Sequence, residues 1–178
     1  MSDEGPNFAQ GSAELLKIMM LVGAALGIFS VFMLWFSMDF VLVQFKYTGP
    51  DFLLKSFDYP DTYPGVGYYA YMPWIVLFAS AAAVGTSLLS FTKHERKGAA
   101  AGAALGVAML AATLLYVFYP LSKMVVSAPG ADLIAEIRLM KYLDAGVYCA
   151  VIAAVFLIVG GMIVFMIRKD GTGTQEGE

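Results

Sequence analysis

Phe40-Val-Leu-Val-Gln-Phe-Lys-Tyr47, followed by Thr48-Gly49-Pro50-Asp51, interrupts a chain otherwise built from long apolar runs. Val41, Val43, Phe45 and Tyr47 recur at every second position, and Gln44 and Lys46 fall between them, the period of a half-buried strand. A lone strand leaves its N–H and C=O groups unpaired. The segment therefore needs a partner from Phe52 to Phe57, from Tyr63 to Tyr69, or from another molecule. The run lies between Trp35 and Trp74, and ten aromatic residues fall within positions 37 to 71.

Outward from this stretch the composition is that of a membrane protein: 60% hydrophobic residues, 14% charged, and a mean hydropathy of +0.73. Four uncharged runs, Ile18 to Met38, Thr62 to Thr92, Gly98 to Ser122 and Ala145 to Ile167, each supply the roughly 20 helical residues that cross a hydrocarbon core of about 30 Å. The fold class expected is an α-helical integral membrane protein, a four-helix transmembrane bundle with a small β-containing extracellular first loop. Its membrane domain covers 12–169, with spans at about 14–37, 71–91, 98–121 and 143–167. Outer loops occupy 38–70 and 122–142, an inner loop 92–97, and a disordered tail 170–178. Ser12 is the expected N-cap of the first helix, Glu14 suits its first turn, and Lys17 reaches back to the headgroups. The acidic residues near Met1 differ from a secretory leader, so the first span is expected to be retained and residues 1–11 to form a cytoplasmic tail.

Orientation follows from basic residues. Thr92-Lys-His-Glu-Arg-Lys97 holds three in a short connection, and Arg168 and Lys169 follow the fourth run. Lys46 and Lys55 in the long first loop are diluted by Asp39, Asp51, Asp58 and Asp61. The rule that basic loops stay inside then places 92–97 and both termini in the cytoplasm of a cell carrying this chain in its plasma membrane. In the second outer loop Pro120 and Pro129-Gly130 read as non-helical. A helix is expected from about Ala131, with Leu133, Ile134, Ile137, Met140 and Leu143 opposite Glu136, Arg138 and Lys141. It either runs into span four or lies at the interface.

Small residues recur every four positions: Gly23 and Gly27; Ala81 and Gly85; Gly98, Gly102 and Gly106; Gly146, Ala150 and Ala154. Such stripes let helix backbones approach closely, either within the monomer's bundle or across a homodimer seam. Every span carries one, which favours the bundle; Gly98, Gly102 and Gly106 form the stripe best suited to a seam. No charged residue falls near the middle of a run, which weighs against a transporter. The hydroxyls of Ser30, Thr86, Ser87 and Thr113, with Tyr116 and Tyr148, are expected to bond to backbone or to a neighbouring helix.

Chemistry is sparse in this sequence. The single histidine, His94, sits in the basic connection and reads as a solvated group, and the first-loop aspartates do not follow a calcium-loop spacing. No serine or threonine has an evident activating base, so no catalytic residue, metal or cofactor is expected and the chain is not read as an enzyme. With Cys149 alone, no internal disulfide forms. A net charge of −3 argues against a nucleic-acid partner. The aromatic-rich loop remains. Trp35, Val41, Val43, Phe45, Tyr47, Phe52, Tyr59, Tyr63 and Trp74 supply either a protein-contact surface or a mini-core for the loop itself.

A short N-terminal tail, a large first outer loop opening on a strand just after Trp35, a short basic inner loop and a smaller second outer loop together resemble the claudin-like tetraspan architecture. The resemblance lies in organisation; the Gly-Leu-Trp motif and the cysteine pair of claudins are missing. It implies a non-enzymatic multi-pass protein that contacts other proteins, or itself, through extracellular loops, in a structural, adhesive or assembly role, with lipid around its spans. Two other readings are an accessory subunit of a larger membrane complex and an oligomeric channel.

Overall fold

The computed structural model describes residues 5–39, 44–51, 54, 68–118, 120–128, 131–138 and 143–170. Four helices, α1 (Gly5–Phe32), α2 (Met72–Leu89), α3 (Glu95–Val117) and α4 (Ala145–Asp170), form the body. Within them Gly11–Phe32, Met72–Leu89, Glu95–Val117 and Ala145–Ile167 are long and apolar enough to cross a membrane. The helices pack in a ring: α1 against α2, α2 against α3, α3 against α4, and α4 back against α1. Connections this short make α2 and α3 antiparallel neighbours. The core between them is built of small and medium side chains, Ala24, Val76, Ala83, Met109, Ala112, Ala150, Ala153, Ala154 and Leu157 among them. Large apolar residues such as Phe29, Phe78, Val107, Leu115 and Met162 face outward. An outward apolar surface on every helix is what a bilayer solvates.

Two hairpins rise from the same end of the bundle. β1 (Leu34–Asp39) pairs antiparallel with β2 (Gln44–Thr48), and β3 (Pro120–Ala128) pairs antiparallel with β4 (Ala131–Arg138). Three expectations are corrected here. First, α1 begins at Gly5 instead of near Ser12, with Pro6 in a first turn where its missing N–H costs nothing. It also ends at Phe32, so Trp35 lies in a strand and not at the end of a span. Second, β2 covers only Gln44 to Thr48 of the expected strand, and its partner is Leu34–Asp39, the segment just before it in sequence. Pairing neighbours closes a short loop at little entropic cost, which outweighs pairing with anything further away. Residues 40–43 lie outside the described residues.

Third, residues 131–138 form a strand and not a helix. Ala128 pairs with Ala131, so the two strands form an antiparallel hairpin, and residues 129–130 lie outside the described residues. The apolar residues Leu133, Ile134 and Ile137 fit a helical stripe, but Leu133, Ala135 and Ile137 also alternate. Opposite them β-branched Val125 and Val126 provide registered partners, Val125 to Ile134 and Val126 to Leu133. The helix that follows starts separately at Ala145 and is capped by Asp144, whose Oδ1 accepts from the Ala145 N–H at 2.6 Å and whose carbonyl accepts from the Val147 N–H at 3.1 Å.

Candidate functional site

The base of the first hairpin is locked into the bundle, and the lock begins at α1's C-terminus. A helix leaves its last carbonyls without intrahelical donors. Here the first loop supplies them: the Trp35 Nε1–H donates to the Ser30 carbonyl at 2.8 Å, and the Gly49 N–H donates to the Val31 carbonyl at 3.0 Å. Both contacts need special backbone. Leu34 pairs with Thr48 and Phe36 with Tyr47, so Trp35 is the extra residue of a β-bulge, the device that re-aims one side chain out of a strand's alternation. At Gly49 a Cβ would come within 2.7 Å of both the Val31 carbonyl oxygen and Pro73 Cβ, so no other residue fits there without movement. The Thr48 N–H donates to Asp51 Oδ2 at 2.8 Å, which fixes the turn.

Trp35 is wholly buried, edge-on to the Tyr116 ring of α3 at 5.0 Å. Against its indole packs Gly146, where a Cβ would stand 2.5 Å from Cδ1. One residue further on, Phe36 lies 6.1 Å from the Tyr47 ring and forms an isolated antiparallel bridge with Leu143, while the Asp144 N–H donates to the Trp35 carbonyl. β1 is therefore held on one edge by β2 and on the other by Leu143 and Asp144, which immediately precede α4.

These positions sort the expected loop residues. Trp35 and Tyr47 are turned into the protein, at 0% and 6% exposure, the placement expected of a mini-core. Phe45 sits in β2 opposite Met38 by register. Trp74 is half-buried in the first turn of α2 with its ring 6.3 Å from Phe78, and its buried indole N–H has no hydrogen-bond acceptor among the described residues. Val41, Val43, Phe52, Tyr59 and Tyr63 lie outside the described residues. Phe36, Gly49 and Leu143 complete the base; Gly49 stood in the Thr48-Gly49-Pro50-Asp51 stretch, whereas nothing in the sequence marks Phe36 or Leu143 as its neighbours.

The small-residue stripes act within the bundle, including the one best suited to a seam. Gly98 abuts the backbone of Thr86 and Ser90, Gly102 faces Met20, and Gly106 faces the Ala154 carbonyl and Leu157. Gly23 meets Phe156 and Ala153, and Gly27 meets Ser80 and Met109; Ala150 and Ala154 are fully buried. Ala81 and Gly85 are the exceptions, since both are exposed and nothing lies within 4 Å of a Cβ at Gly85. The packed face of α2 is instead Val76, Ala79, Ser80, Ala83 and Ser87. Gly160 and Gly161, not expected as packing residues, fit against α1 and α3 through Met20 and the Ala99 carbonyl. As expected, the Ser30, Thr86 and Thr113 hydroxyls donate to the carbonyls of Gly27, Ala83 and Met109; the buried Ser87 hydroxyl has no hydrogen-bond partner among the described residues.

No model of a known protein family, no characterised protein and no solved structure matches the chain.

Proposed function

We propose that this is a non-enzymatic, multi-pass plasma-membrane protein that works by protein contact through the hairpin end of its bundle, in a structural, adhesive or assembly role. The observation that carries this reading is the anchored base. Trp35 is buried edge-on to Tyr116, the α1 carbonyls are capped by Trp35 and Gly49, and Phe36 is bridged to Leu143. Binding loops are effective when a rigid scaffold holds them, because less ordering entropy is lost on association. Here the scaffold holds the loop richest in aromatic residues, the type enriched at protein interfaces. In this reading the hairpin end is extracellular, the basic connection between α2 and α3 and both termini are cytoplasmic, and the organisation is that of the claudin-like tetraspans.

The test is a photo-crosslinking amino acid placed at exposed Lys46 on β2 or at exposed Val107 on the flank of α3, followed by irradiation of native membranes. Protein adducts at Lys46 are expected. Adducts at Val107 alone would replace this reading with that of an accessory subunit, which meets its complex through the sides of its spans.

A further inference from the structure

The opposite end of the bundle carries a charge arrangement that contact through the hairpins does not use. Lys17 Nζ lies 2.8 Å from Glu95 Oε1, both side chains nearly buried, and 5.7 Å over the Phe91 ring. Glu95 is the only carboxylate of the connection from Thr92 to Lys97, and this pair directs it inward to α1. Lys93, Arg96 and Lys97 are exposed and have no carboxylate partner among the described residues.

The turn that presents these cations is tied by its own hydrogen bonds. The Thr92 hydroxyl donates to the Leu89 carbonyl at 2.8 Å and accepts from the His94 N–H at 3.2 Å, and the Glu95 N–H donates to the Thr92 carbonyl. Gly98 closes the turn, since a Cβ there would meet the Ser90 nitrogen and the Thr86 oxygen at 2.7 Å. Arg96 stacks on Phe165 of α4, its guanidinium carbon 4.5 Å from the ring centroid. A guanidinium stacked this way keeps its in-plane N–H fork available, and that fork matches the oxygens of a phosphate. The half-exposed Leu89 and Phe91 mark where the apolar surface ends, immediately beside the three cations.

We propose that Lys93, Arg96 and Lys97 form a binding site for the phosphate headgroup of an anionic phospholipid, with Arg96 as the fork and the two lysines as flanking point charges. The inference rests on the reading that the four helices cross a bilayer, which sets these residues at headgroup level. Zwitterionic lipid carries no net charge to retain there, so the site selects for anionic headgroups.

The test measures lipid binding to delipidated, detergent-solubilised full-length protein by native mass spectrometry, comparing phosphatidylglycerol with phosphatidylcholine. Wild type is expected to prefer phosphatidylglycerol by on the order of tenfold or more, and each single variant K93Q, R96Q or K97Q to lower that preference on the order of fivefold. K46Q, at the other end, leaves it unchanged. Equal binding of the two lipids by wild type, or an unchanged preference in all three single variants, overturns the proposal. So does competition by inorganic phosphate at equal concentration, which would make this a free-anion site. Flotation of wild type with phosphatidylcholine vesicles separates the premise from the proposal: failure to float removes the membrane reading itself, whereas floating without lipid preference removes only the headgroup site.

Discussion

Trp35 joins the membrane-like body to the hairpin end, and its surroundings let its contribution be stated in energies. It fills a fully buried position, donates its one N–H to Ser30 and lies edge-on to Tyr116. Trp35→Ala is expected to cost about 3–5 kcal/mol, because it removes a buried aromatic and leaves a cavity. Trp35→Phe keeps most of the volume and loses the donor, leaving the Ser30 carbonyl with the Met33 N–H alone, and is expected to cost about 0.5–1.5 kcal/mol. Thermal unfolding in detergent should rank wild type above Trp35→Phe above Trp35→Ala; equal stability of the two variants would show that the hydrogen bond contributes nothing beyond the packing. The sequence made Trp35 conspicuous but misplaced it. An uncharged run through Met38 looks the same whether its last turns are helix or strand, and the bulge that turns the indole inward depends on the register with Thr48 and Tyr47, which only the paired strand reveals.

At the level of elements, the existence of four helices long and apolar enough to cross a membrane was legible, because length and lack of charge are what such a helix needs. The second hairpin was not, since Leu133, Ile134 and Ile137 satisfy both the helical and the strand period, and short apolar runs are ambiguous between the two. Which small residues pack was only partly legible: a four-residue spacing marks a face but does not say whether that face meets a helix or lipid. Gly106 and Gly85 show the difference. A Cβ at Gly106 would stand 2.9 Å from the Ala154 carbonyl oxygen and from Leu157 Cβ, neither of which can swing away, whereas Gly85 meets open space. Gly106→Ile is therefore expected to separate α3 from α4 and lower the detergent melting temperature, by about 2 °C or more if the overpacking cost is about 1–3 kcal/mol. Ala104→Ile, at an exposed position on the same helix, should leave it within about a degree. Comparable losses at both positions would mean that α3 packs on a different face.

The molecule as a whole has two unlike ends separated by an apolar body. One end carries both hairpins, the first of them seated on the bundle through Trp35, Phe36 and Gly49. The other carries Lys17 paired to Glu95 and the exposed cations of the α2–α3 connection. The central claim is that a membrane lies between them, and thiol labelling tests it most directly. In a Cys149→Ala background, Lys46→Cys and Thr92→Cys each place one thiol at an exposed position, on β2 and on the α2–α3 connection respectively. A membrane-impermeant maleimide applied to intact cells is expected to label Lys46→Cys at once and Thr92→Cys only after permeabilisation. Labelling of both from outside, or of neither until permeabilisation, would contradict the account, because the two ends would then share one side of the membrane.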